Sequence, residues 1–123
     1  MLTEKDFLME IINLSPQGAV WRISQDSWEG IPKIFGQEIT LSSDTEWVVV
    51  ITLDNKALLL SLVDEYELPD KIVQMSISSA DGYLFFNGDD HMDTVIFDFE
   101  YGNFGHLRNK YSELGIIPKE FLL

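Results

Sequence analysis

The side chains that could do chemistry lie in two short acidic segments. One is Asp64-Glu65-Tyr66-Glu67 with Asp70 close behind, and the other is Gly88-Asp89-Asp90-His91-Met92-Asp93. Several oxygen ligands in a short loop can hold calcium, but the second segment lacks the alternating Asp/Asn order and the distal Glu of an EF-hand. His91 could serve as a general base poised by the neighbouring acids. A loop histidine among carboxylates is, however, more commonly a solvated residue whose charged form those carboxylates favour. The other histidine, His106, has no partner motif. The chain contains no G-x-S-x-G, H-E-x-x-H, phosphate-binding loop or G-x-G-x-x-G. The expectation is therefore no enzymatic activity, no cofactor and no dedicated metal site. What seven carboxylates around one tyrosine can do is recognise a cationic protein surface, with Tyr66 as an apolar anchor.

Charge distribution supports the same direction. Against 8 Lys and Arg stand 21 Asp and Glu, a net charge of −13 at pH 7. A field of that sign repels phosphates and anionic lipid, so neither nucleic acid nor a membrane surface is an expected direct partner. Residues 1–43 carry six acids and three bases, residues 44–100 thirteen and two, and residues 101–123 two and three, so the excess lies in the middle of the chain. The absence of cysteine removes disulfides, thiolate catalysis and zinc fingers. Acids follow Met1 where a signal peptide carries bases, and no apolar run nears the ~20 residues of a membrane span. A cytoplasmic protein is expected.

These residues have to be positioned by elements that the apolar pattern predicts within one domain, 1–123. Thr3 is a candidate N-cap for a helix over 4–14, whose stripe is Phe7, Leu8, Ile11 and Ile12. Ala19 to Ser24 reads as a short strand, while the segment 26–36 with Trp28, Ile31 and Phe35 is open between a helical turn and a loop. Glu46 to Leu53 and Lys56 to Val63 read as two strands of a hairpin turning at Asp54-Asn55. Both are apolar on each face and so are expected in the middle of the sheet, covered on both sides. Segment 26–36 is preferred over a second subunit as that cover, which favours a monomer over a homodimer. Further strands are expected near 71–78, 83–87 and 94–100, and a closing helix over 103–114 with Gly115 as its stop. The fold class is α+β: a mainly antiparallel five- or six-stranded sheet with an N-terminal and a C-terminal helix packed on it. In such a meander the loops 64–70 and 88–93 share one end, so that Asp64, Glu65, Glu67 and Asp70 form a rim with Asp89, Asp90 and Asp93.

The stretches Glu46-Trp-Val-Val-Val-Ile-Thr-Leu-Asp-Asn-Lys-Ala-Leu-Leu-Leu60 and Ala80-Asp-Gly-Tyr-Leu-Phe-Phe-Asn-Gly-Asp-Asp90, in a small acidic cysteine-free domain, resemble bacterial immunity proteins of polymorphic toxin and contact-dependent inhibition systems. The resemblance is one of size, acidity and strand texture across most of the chain. It implies a non-enzymatic cytoplasmic inhibitor that binds one cognate toxin domain, often a nuclease. Two other readings use the same residues differently: a phosphate-mimicking regulator of a nucleic-acid-binding protein, and a small enzyme or metal-dependent module around His91, Asp89, Asp90 and Asp93.

Overall fold

The computed structural model describes residues 1–42 and 44–122. Its first element is set by local chemistry. The Asp6 amide donates to the Thr3 hydroxyl at 3.3 Å and the Thr3 amide donates to the Asp6 carboxylate at 2.9 Å, a reciprocal cap that starts α1, Glu4–Leu14. Phe7, Leu8, Ile11 and Ile12 form its buried stripe. The strands are β1 (Ala19–Ser24), β2 (Ile39–Leu41), β3 (Glu46–Ile51), β4 (Gln74–Ser78), β5 (Leu84–Asp89), β6 (Thr94–Phe97) and β7 (Ile117–Pro118). They form one seven-stranded sheet in the order β2-β3-β1-β4-β5-β6-β7. Every pairing is antiparallel except β6 with β7. The fold is α+β, with α1 packed on the sheet and against a helix over Lys56–Tyr66, α3.

That α3 corrects the expected hairpin. Lys56 to Tyr66 is a helix, and Asp54-Asn55 is part of its approach rather than a hairpin turn. The run 56–66 is rich in leucine and has Val63 as its one β-branched residue, whereas 48–51 is three valines and an isoleucine. Leu59, Leu62 and Val63 recur at helical spacing and are buried, while Leu58 is exposed. Thr52 and Asn55 fix the start: the Thr52 amide donates to the Asn55 side-chain carbonyl at 2.8 Å, and the Asn55 amide donates to the Thr52 hydroxyl at 3.1 Å. Since α3 and the short α4 (Leu68–Lys71) carry the chain from β3 to β4, those strands run parallel on either side of β1.

The covering of the sheet also differs from expectation. The segment 26–36 holds a short helix α2, Ile31–Phe35, and packs on the same face as α1, with the Phe35 ring edge-to-face against Trp21 at 5.5 Å. No second layer lies on the other face among the described residues. Ala19, Trp21 and Ile23 of β1 are buried while Val20, Arg22 and Ser24 are half-buried, and Val50 of β3 is 46% exposed. β3 is thus neither central nor covered on both sides. It lies one strand from the edge, inside β2.

Aromatic rings fill the β6 side of the core. Phe97 meets Phe7 at 5.2 Å, Phe99 at 4.9 Å and Phe104 at 4.9 Å, and each contact is edge-to-face. A register shift between Ile77 and Ser78 lets consecutive Phe85 and Phe86 of β5 both be buried, which simple alternation forbids. The expected closing helix is shortened to α5, Leu107–Lys110, and a 3₁₀ turn over Ser112–Leu114. Gly102 and Gly105 precede it and weaken helix entry, and Gly115 at φ 69° ends it as expected. Strands β2 and β7, of three and two residues, are too short for a periodic signal.

The C-terminal region is fastened to α1 by a polar contact. Tyr111 donates its hydroxyl to the Glu10 carboxylate, which also receives Lys110 at 2.8 Å. Burial raises the Tyr111 pKa first and the Glu10 carboxylate adds to it, whereas at Glu10 burial is outweighed by its hydrogen bonds with Lys110 and Tyr111 and its pKa falls. The folded protein therefore holds the Tyr111 proton more tightly than the unfolded chain. This contribution is complete below an unfolded tyrosine pKa of about 10 and fades as pH rises beyond it. Urea unfolding across that range should show the native chain losing stability more steeply with pH than Tyr111→Phe. Parallel pH profiles would contradict it.

Candidate functional site

Antiparallel register decides where the acids meet. Ser24 at the end of β1 pairs with Glu46 at the start of β3, and Gln74 at the start of β4 pairs with Asp89 at the end of β5. One end of the sheet therefore carries Asp26, Asp44, Glu46, Asp70, Asp89, Asp90 and Asp93. Parts of the two acidic segments meet there, through Glu67 and Asp70 of the first and His91 of the second. The His91 amide donates to the Val73 carbonyl at 3.2 Å, and Glu67, Asp70 and His91 line one shallow cleft with Lys5.

Their setting differs from two facing loops. Asp64, Glu65 and Tyr66 are the last turn of α3, Glu67 caps it in the left-handed conformation at φ 50°, and Asp70 sits in α4. Two of these acids are already matched: Lys5 of α1 reaches Asp64 at 3.0 Å and Glu67 at 3.1 Å. Those hydrogen bonds raise the Lys5 pKa. Glu65, Asp70, Asp89, Asp90 and Asp93 form no ion pair with any described residue. Asp89 points away from the rest, along the open sheet face, where it accepts from the Asn87 amide at 3.1 Å.

Two aromatic residues meet beside this end. The Trp28 and Tyr66 rings lie 6.0 Å apart, with the Lys71 ammonium 5.8 Å from the indole centroid. Trp28 is held by its amide, which donates to the Lys71 carbonyl at 2.8 Å, and by Gly30, where a Cβ would stand 2.3 Å from the ring. The indole is nonetheless 36% exposed. Ser27 and Ser24 lace this segment to β4 by accepting the Val73 and Gln74 amides at 2.9 and 3.1 Å. A rigid, half-exposed aromatic pair bordered by carboxylates is suited to hold a protein side chain.

The loop between β5 and β6 is unusual in its backbone. Asp90, His91 and Met92 take φ values of 52°, 59° and 65°. Such a run costs L-residues free energy at each position, less for Asp. Its local return is Met92, which is buried against Phe86 and Met75 around Gly88. This turns Asp90, His91 and Asp93 outward to solvent. Among the described residues no three carboxylates or imidazoles converge as ligands of one ion. None of their helices is long and apolar enough to cross a membrane.

Asp26, Asp44 and Glu46 were not anticipated at this end. Their position depends on β1 lying between β3 and β4, and an inserted strand order leaves no local mark in sequence. The chain matches no protein-family model, no curated protein and no solved structure.

His91→Gly relieves one left-handed residue while keeping the amide that donates to Val73. It should raise the thermal midpoint by an amount worth roughly 0.5–1 kcal/mol. A lowered midpoint would mean that the imidazole itself supports the loop.

Proposed function

We propose that this protein is a non-enzymatic inhibitor that binds and neutralises a basic protein domain, of the nuclease-type toxin class implied by the resemblance to immunity proteins. The observation that carries the reading is the gathering of unpaired carboxylates at one end of the sheet beside the half-exposed Trp28–Tyr66 pair. A domain that cuts nucleic acid needs a basic surface for phosphates. An acidic surface is steered to it and competes for the same ground. Rim charges act mainly on association, whereas desolvated aromatics act on dissociation, so the two features would divide the work.

Charge reversal is best placed at Asp70 and Asp90, because Glu67 and Asp64 are engaged by Lys5. The test is capture of the partner from the source cell, identification of its sequence, and a kinetic series at several salt concentrations. Asp70→Lys and Asp90→Lys should slow association and flatten its salt dependence. Tyr66→Ala and Trp28→Ala should instead speed dissociation by a factor worth roughly 2 kcal/mol. A partner that is not basic, or rates unchanged in all four variants, would refute the reading.

A further inference from the structure

The open sheet face contains a cleft of about 510 Å³, lined by Arg22, Ser24, Ser76, Asn87 and Asp89 with Glu46 among others. Its shape follows from register. Arg22, Ser76 and Asn87 stand in one row across β1, β4 and β5, and Glu46 and Asp89 belong to the next row, with Ser24 of β1 and Gln74 of β4 between them. The small side chains of Ser24 and Ser76 leave a trough between the longer ones around them. Asp26 and Asp44 close it at the acidic end.

Arg22 is the notable charge in this cleft. Six of the other seven cations are engaged: Lys5, Arg108 and Lys110 in ion pairs, Lys56 by the carbonyls of Asn13 and Ser15, and Lys71 and Lys119 over the rings of Trp28 and Tyr83; the seventh, Lys33, is exposed on α2, away from this cleft. Arg22 is half-buried on β1, yet it forms no ion pair with any described residue, although Asp26, Asp44, Glu46 and Asp89 line the same cleft. The cleft therefore presents one free guanidinium fork inside a ring of carboxylates.

These charges restrict the occupant. A purely anionic group would pair with Arg22 but meet four carboxylates, and a purely cationic one would be opposed by Arg22. Both demands are met by a carboxylate flanked by cations, with the carboxylate on the planar guanidinium fork and the cations toward Glu46 and Asp89. The volume falls in the range of about 300–1,000 Å³ typical of ligand sites, enough for a few side chains. We infer that the cleft receives a short Lys/Arg-Asp/Glu-Lys/Arg segment of the basic partner. This rests on the function proposed above and adds the open sheet face to the binding surface.

The probe is a pair of capped peptides, acetyl-Gly-Lys-Asp-Lys-Gly-amide and its counterpart with Asn in place of Asp, titrated into isotope-labelled protein and followed by amide chemical shifts. Overall charge favours the Asn peptide for so acidic a protein, so the expected result runs against bulk attraction. The amides of Arg22, Ser76 and Asn87 should shift saturably, and the Asp peptide should bind at least threefold more tightly. Arg22→Gln should abolish that preference with the rest of the spectrum retained, and Arg22→Lys should keep part of it. Equal or tighter binding of the Asn peptide, or shifts confined to the surroundings of Asp70, Asp90 and Asp93, would overturn the inference while leaving a basic partner in place. Conversely, a captured partner that is not basic, or whose rates are unchanged by Asp70→Lys, Asp90→Lys, Tyr66→Ala and Trp28→Ala, would refute the function and not the cleft's preference.

Discussion

Burial of a single face of the sheet is the constraint on which the rest of the molecule depends. α1, α2 and α3 all supply apolar side chains to that face, where Phe7, Trp21, Leu59, Ile77 and Phe97 share one continuous core. With every helix used there, the opposite face is left to Arg22, Ser24, Ser76 and Asn87, and its strands keep one wet side. The same packing places α3 so that its last turn runs through α4 directly into β4. This brings Tyr66 against Trp28 and Glu67 against Lys5. The geometry of the acidic end is therefore a consequence of how the core is closed.

Much of this was legible in the chain and some was not, for identifiable reasons. The Thr3 cap and the Phe7–Ile12 stripe define α1 because both signals are local and agree. The shared end of the two acidic segments was also legible, since the β4–β5 hairpin between them fixes it whatever precedes β4. The helix over 56–66 was misread because a continuous apolar run suits a buried strand or a buried helix face equally. Leucine content was the better guide. An apolar run such as 47–51 suggests covering on both faces, but Val50 is simply an exposed valine on a sheet's outer side. The contributions of Asp26, Asp44 and Glu46 had no sequence signal, because they depend on β1 inserting between β3 and β4.

The carboxylates at the sheet end are an excess with no ion-pair partner among the described residues, held at some cost to the free protein. Lys5, Lys110 and Arg108 answer acids on the helical and C-terminal sides. The end carrying Asp70, Asp90 and Asp93 has no such answer among the described residues, and mutual repulsion there opposes folding. Salt should relieve it. The most direct measurement is the thermal midpoint of the isolated protein near neutral pH as ionic strength rises from about 0.01 M to about 0.15 M, over which the screening length falls from ~30 Å to ~8 Å. The account predicts a midpoint that climbs steadily through this range. A midpoint that stays level or falls would show that the acids are balanced within the fold, and would contradict the claim.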